Sequence, residues 1–225
     1  MAFTYSLVLF FTIIICFVAS FDKRIQFYKF FIPFIKAAGI VAIPFIIWDI
    51  WFTKNGVWWF DKQYTLGVSI AGLPIEEWLF FICIPFSCVF TYFCFDKFYN
   101  LDRFSILNKS IVALTVIICS SVALLNTDKI YTLVTGIITA LSMLFLYYIA
   151  KAKWIGKATL LYLILMLGFF PVNGVLTGTG IPSPIVNYNP GDFLGIRMLT
   201  IPVEDAVYGY AQFLWVLYFF IKFKK

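Results

Sequence analysis

The chain has 225 residues, of which 63% are apolar and only 12% are charged. Soluble domains average about 45–50% apolar and about 25% charged residues, so this composition excludes a soluble globular protein and a disordered chain. The net charge of +6 comes from short basic clusters between apolar runs, which indicates a membrane protein and not a nucleic-acid-binding surface. The chain contains no histidine, which excludes imidazole-based metal sites and catalytic triads.

The apolar runs predict an all-α integral membrane protein with about seven transmembrane helices. A helix needs roughly 20 apolar residues to cross a bilayer. The predicted spans are 3–21, 30–52, 74–95, 106–125, 130–150, 157–175 and 202–221. The first run lacks a basic start and a small-residue cleavage site, so we expect a helix there and not a signal peptide.

The basic residues predict the orientation of these helices. Twelve Lys and Arg residues lie at the helix ends of one side, whereas the other side carries four: Lys54, Lys62, Lys129 and Arg197. Cytoplasmic loops carry the excess of Lys and Arg. We therefore expect a cell-membrane protein whose N-terminus is outside and whose C-terminus is cytoplasmic.

The sequence contains an internal repeat. Residues 73–77, Leu-Pro-Ile-Glu-Glu, recur 128 positions later at 201–205 as Ile-Pro-Val-Glu-Asp. Helices one to three then correspond to helices five to seven, in parallel orientation because the period is four helices. We expect a first repeat at 1–100, a connecting helix within 101–127 and a second repeat at 128–225.

The repeated segment holds every glutamate of the chain, Glu76, Glu77 and Glu204, and Asp205 completes it. An acid in the first turn after a proline is an ordinary helix start. Ionisable residues in spanning helices are costly, however, and their duplication in register favours a functional site. Adjacent helical residues project about 100° apart. We therefore expect one acid of each pair to face a cavity and the other to meet a neighbouring helix or the interface.

Other polar residues fall near the same depth. Asp49 lies near the outer end of the second helix, and Asn173 occupies roughly the corresponding position of the second half. Arg197 is the one strong cation near the second acidic motif. It is a candidate partner for Asp205 or Asp192, and it is equally suited to anchor the chain at the membrane interface.

Aromatic residues make up 21% of the chain, and most fit lipid contacts and interfacial belts. Those that flank the acids can also stabilise a cation through their ring faces. This second group comprises Trp48, Trp51, Trp58, Trp59, Trp78, Phe80, Phe81 and Tyr208. Acids beside aromatic rings in a membrane suit proton-initiated carbocation chemistry on an isoprenoid, and they also suit a proton-coupled transporter.

The duplicated motif, Pro74-Ile75-Glu76-Glu77 and Pro202-Val203-Glu204-Asp205, resembles that of the integral-membrane lycopene cyclases. In this family two small halves occur as separate subunits or fused in one chain. The pairs Trp48-Asp49 and Trp58-Trp59 fit the same pattern. The resemblance covers nearly the whole chain, in the fused form.

The resemblance implies a lycopene β-cyclase, an isomerase of carotenoid biosynthesis that works without a cofactor or metal. An acid protonates the terminal alkene of lycopene, the cation closes on the neighbouring double bond, and a base removes a ring proton. Carried onto this sequence, Glu76, Glu77 and Glu204 are the candidate proton donors, and Asp205 and Asp49 support them or act as the base. Asn173, where a second Asp49 would stand, indicates one complete site between the halves.

The expected partners are lycopene and the lipid bilayer, with no nucleic acid and with other carotenoid-pathway enzymes left open. The residues expected to bind substrate are Trp48, Trp78, Phe80, Phe81, Tyr208, Asn173 and Arg197. A carotenoid end-group hydratase, in which water captures the same cation, is an alternative enzyme. A proton-coupled membrane transporter is the non-enzymatic alternative.

Overall fold

The computed structural model describes residues 3–224 and is built mainly from helices. The seven α-helices are α1 (Thr4–Ala19), α2 (Phe31–Lys54), α3 (Ile75–Phe98), α4 (Asn108–Leu125), α5 (Ile130–Leu144), α6 (Ile155–Leu176) and α7 (Val203–Phe223). Six helical segments are long and apolar enough to cross a membrane, and α1 is a shorter apolar helix of 16 residues. The predicted all-α membrane architecture with about seven helices is confirmed.

Short irregular helices extend three of these elements. One 3₁₀ turn, Phe27–Phe30, leads into α2, and another, Asp102–Leu107, leads into α4. A π-helical turn, Phe145–Ile149, continues α5. Together with α5 it forms one apolar span of 20 residues, enough to cross the bilayer.

Six short strands lie in the two long loops that follow α2 and α6. They are β1 (Trp58–Phe60), β2 (Ser69–Ile70), β3 (Leu73–Pro74), β4 (Val186–Tyr188), β5 (Arg197–Met198) and β6 (Ile201–Pro202). They form three two-stranded antiparallel sheets, β1–β4, β2–β3 and β5–β6. The β1–β4 pair joins the two loops and sets Trp58 opposite Tyr188.

The β2–β3 and β5–β6 hairpins are equivalent in the two halves. Gly67 and Gly195, which lie before them, both have a φ of +78°, in the left-handed region that favours glycine. Pro74 and Pro202 end the hairpins and act as N-caps, so each helix begins one residue after its proline. The prolines were expected at the first helical position, and the strand pairing places them one position earlier.

Helix packing repeats in part and differs at one place. α1 packs against α3 as α5 packs against α7, while α4 packs on α5 and α2 packs along α7. α2 has buried residues along its length, from Phe34 to Phe52. In α6, by contrast, no residue between 162 and 172 is buried. α6 therefore packs only partly against the bundle over this stretch, and a cavity lies beside α1, α3 and α7.

Close packing between α4 and α5 depends on Gly136. A Cβ atom at this position would lie 2.7 Å from the carbonyl oxygen of Cys119 and 3.0 Å from Cβ of Ala123. We predict that Gly136→Ala destabilises the protein by about 1–3 kcal/mol, because the helices must move apart. The thermal unfolding midpoint in detergent measures this effect. Gly39→Ala is the matched control, since a Cβ there meets nothing within 4 Å; equal midpoints for both variants would contradict the close approach.

Candidate active site

A cavity of about 390 Å³ lies between α1, α3, α6 and α7, and the paired loops contribute to its wall. Four expected polar residues line it: Asp49, Glu77, Asn173 and Asp205. Along α3 it extends from Glu77 to Thr91, about 21 Å at 1.5 Å per residue. Polar groups of both halves therefore face one elongated space.

Glu77 and Asp49 form the acidic pair of the first half. The Tyr5 hydroxyl donates a hydrogen bond to Oε2 of Glu77 at 2.5 Å, and Nε1 of Trp58 donates to Oδ1 of Asp49 at 2.6 Å. The two carboxyl groups adjoin each other. Oδ2 of Asp49 has no hydrogen-bond donor among residues 3–224. Two adjoining buried carboxyl groups tend to share one proton, because two negative charges side by side repel each other.

Asp205 is the acidic centre of the second half and has three donors. It accepts hydrogen bonds from the hydroxyls of Tyr131 and Tyr188, both at 2.7 Å, and from the amide of Asn173 at 2.8 Å. Burial disfavours the charged form of a carboxyl group, and these three donors oppose that effect by stabilising the anion. Burial, together with the charge of Asp205, raises the pKa of Tyr188 well above its usual value, so this phenol keeps the proton that it donates.

Glu76 and Glu204 are buried but do not line the cavity. Oε1 of each accepts one hydrogen bond from a loop N–H group and one from a hydroxyl of the first helix of its half. The donors are Leu66 (2.6 Å) and Ser6 (3.2 Å) for Glu76, and Leu194 (2.8 Å) and Thr132 (2.6 Å) for Glu204. Two of the expected proton donors are thus placed where they hold the loops to the helices.

Three of the expected substrate-binding residues, Phe80, Tyr208 and Asn173, line the cavity. Trp48 lies behind this wall, with its ring centroid 4.8 Å from that of Tyr208. Phe81 is also buried outside the lining, next to Phe80 at a ring separation of 5.9 Å. Trp48 and Phe81 therefore support the cavity wall without contacting the space inside it.

Trp78 and Arg197 lie away from the cavity. Nε1 of Trp78 donates to a carbonyl of strand β2 at 3.3 Å. The exposed Arg197 guanidinium lies 4.8 Å from the ring centroid of Phe193. It forms no ion pair within the described part of the chain, so of the two alternatives the structure lacks the pairing with Asp205 or Asp192. Neutral donors already surround Asp205, and the aromatic contact accommodates the cation instead.

Sequence reasoning missed three tyrosines that hold the cavity acids. Tyr5 and Tyr131 stand 126 positions apart, close to the repeat period, and each donates to the acid of its own half. That spacing was a usable signal. No sequence pattern indicates the role of Tyr188, because its position depends on pairing between two distant loops. Trp58 was considered only as an aromatic neighbour, and its indole N–H proves to bind Asp49.

A family model described as lycopene cyclase matches residues 2–95 and 128–223. The chain belongs to the lycopene cyclase family. The two matched segments are the two repeats, and this cyclase is an enzyme of carotenoid end-group cyclisation with several membrane helices. Neither a curated protein nor a solved structure matches the sequence.

The contacts of Glu76 predict that stability depends on its hydrogen-bond acceptor oxygen and not on its negative charge. Glu76→Ala leaves the Leu66 N–H group and the Ser6 hydroxyl without their acceptor, at a cost of about 1–3 kcal/mol. Glu76→Gln keeps an oxygen acceptor at the same place. We expect a lower unfolding midpoint and faster proteolysis of the loop after α2 for Glu76→Ala only. An equal loss for Glu76→Gln would contradict this assignment.

Proposed function

We propose that this cyclase closes β-rings on the ends of lycopene by protonation, without a change of redox state, in one cavity shared by its two repeats. One observation supports this above all: Asp49 and Glu77 from the first half and Asp205 from the second line the same cavity. The reaction needs an acid at the terminal alkene and a base at the new ring. The cavity has carboxyl groups suited to both roles.

The Glu77–Asp49 pair is the proposed source of the proton. A carboxyl pair that shares one proton holds a donor ready inside an apolar site. After transfer to the alkene, the pair carries an additional negative charge. The Tyr5 hydroxyl and the Trp58 indole, which already donate to these groups, stabilise that charge. Tyr5 and Trp58 therefore favour the transfer by binding its product state more strongly.

Asp205 is the proposed base. Its three hydrogen-bond donors favour the carboxylate, which attracts the carbocation and accepts the ring proton after closure. The electrons of the broken C–H bond become the ring double bond, so the product has the mass of the substrate. The hydrogen that faces Asp205 determines where this double bond forms, and hence the ring type.

The aromatic wall suits a cationic intermediate. Trp58, Tyr131, Tyr188 and Tyr208 all line the cavity, and the Trp58 and Tyr131 ring centroids lie 5.2 Å apart. Ring faces attract a cation that water does not solvate. Excluding water also favours loss of a proton over capture of the cation by water, which supports cyclisation over hydration.

The bilayer is the proposed source of substrate. Residues 162–172 of α6 are not buried, and Phe11 of α1, which lines the cavity, is 66% exposed. A linear hydrocarbon can therefore pass between α1 and α6 from the lipid. With the N-terminus outside and the C-terminus cytoplasmic, as proposed from the basic residues, the acids lie toward the outer side of the membrane.

The positions of Glu76 and Glu77 predict that their glutamine variants differ strongly in cyclisation rate. In bacteria that accumulate lycopene, the wild-type chain should yield ringed carotenoids of unchanged mass. Glu77→Gln removes the proposed proton donor and should lower the cyclisation rate by at least about 10²-fold. Glu76→Gln, the matched control, keeps its hydrogen-bond acceptor and should stay within a few-fold of wild type. Chromatography and mass spectrometry of the pigments measure both, normalised to the protein in the membrane.

Three outcomes would contradict the proposal. Wild-type activity in Glu77→Gln would exclude Glu77 as the donor. A product heavier by one water would indicate a hydratase. Unchanged lycopene, with the folded wild-type chain verified in the membrane, would exclude lycopene as the substrate.

A further inference from the structure

A second cavity, of about 410 Å³, lies at the end of the bundle opposite the acids. Its lining includes Gln26, Lys29, Phe93, Asp96, Lys97 and Lys224. These residues come from the turn before α2, the end of α3 and the end of α7. The cavity is thus formed where the C-terminal ends of two spanning helices meet one connecting segment.

The position of this cavity matches the level of lipid headgroups. Lys97 follows Glu77 on α3 by 20 residues, which corresponds to about 30 Å at 1.5 Å per residue. The hydrocarbon core of a bilayer is also about 30 Å thick. The acids and this cavity therefore lie near opposite surfaces of the membrane.

Positive charge exceeds negative charge around the cavity. Three ammonium groups, of Lys29, Lys97 and Lys224, face one carboxylate, that of Asp96. Asp96 is already bound by the Lys157 ammonium at 2.5 Å. The carboxylate is therefore largely neutralised by a lysine outside the cavity lining. Within residues 3–224, the three lining ammonium groups form no ion pair of their own.

Lys224 is the least compensated of the three. The Lys97 ammonium donates to the carbonyl of Ile25 at 3.0 Å, and Lys29 donates to the side chain of Gln26 at 2.5 Å. The half-buried Lys224 ammonium lies 4.7 Å from the ring centroid of Phe93 and has no hydrogen bond or ion pair within residues 3–224. Burial lowers the pKa of Lys224, Asp96 opposes this effect, and the charges of Lys157 and Lys97 add to it. An anion bound in the cavity would stabilise the charged form of the Lys224 ammonium.

Basic residues at a cytoplasmic membrane surface are common, and most of them simply face solvent. Lys222, two residues earlier on α7, is an exposed example. The three cavity lysines differ because they converge from separate elements on one concave space with an aromatic wall. Basic pockets between spanning helices on the cytoplasmic side are a known form of lipid headgroup site.

We propose that this cavity binds a phosphate group, through the ammonium groups of Lys224, Lys97 and Lys29. An anionic phospholipid headgroup and a free phosphate ion present the same chemistry to these lysines. The headgroup fits the level of the cavity, and its acyl chains would extend into the hydrocarbon core of the bilayer. Binding here would tie α7 to α3 and to the turn before α2.

The test compares two lysines on the same helix end. Purified full-length protein is reconstituted in phosphatidylcholine vesicles with and without phosphatidylglycerol, re-extracted, and examined by native mass spectrometry for retained lipid. Inorganic phosphate is titrated in detergent, with the thermal unfolding midpoint as the readout. We expect Lys224→Gln to weaken binding about tenfold, as for loss of one charge-assisted contact. Lys222→Gln, which removes the same charge from an exposed position, should change it less than about twofold.

Retention of phosphatidylglycerol without a phosphate-induced shift would support the site and identify the lipid as its ligand. A phosphate-induced shift without lipid retention would support the site and identify the free ion. Lys29→Gln provides a second variant and should weaken binding in the same direction if Lys224→Gln yields little folded protein. Absence of both signals in wild type, or equal weakening by Lys222→Gln and Lys224→Gln, would overturn the proposal.

Discussion

The structure depends on providing hydrogen-bond donors to five acids buried at one end of a membrane bundle. These are Asp49, Glu76, Glu77, Glu204 and Asp205. A buried polar or charged group without a partner is costly, and lipid offers no water to replace one. The donors to the four acids on α3 and α7 come from α1, α5 and α6 and from the two long loops that precede these helices. The hydrogen bonds to these acids therefore fix the positions of the helices and loops at that end of the molecule.

The two repeats share the contacts that hold their loops. They differ in the residue beside the cavity acid, and this difference underlies the separate roles proposed for the two acids. Glu76 and Glu204 have equivalent donors, and so they hold equivalent loops in the two halves. The cavity residues differ, because an acid adjoins Glu77 whereas an amide donates to Asp205. A carboxyl neighbour favours retention of a proton, and an amide donor favours its loss. In the proposed mechanism the first copy of the repeat therefore supplies the proton donor, and the second copy supplies the proton acceptor.

The helices and the acidic motif could be predicted because the bilayer demands long apolar runs and makes buried acids conspicuous. Helical geometry predicted that Glu76 and Glu77 diverge, but it did not identify which of them faces the cavity. That choice depends on where α1 and the loops pack. The looser packing of α6 was likewise hidden, since α2 and α6 both consist mainly of apolar residues. The contact between Tyr188 and Asp205 depends on the β1–β4 pairing, which has no local sequence signal.

A carboxyl proton of the enzyme starts ring closure in the proposed mechanism, and isotope labelling is the direct test of this step. The reconstituted protein is supplied with lycopene in deuterated water, so that exchangeable carboxyl protons become deuterons. Mass spectrometry of the product then counts the deuterium atoms fixed on carbon. We expect one deuterium for each ring formed, because the proton removed from the ring is a different one from the proton added. Ringed product without deuterium would contradict proton initiation.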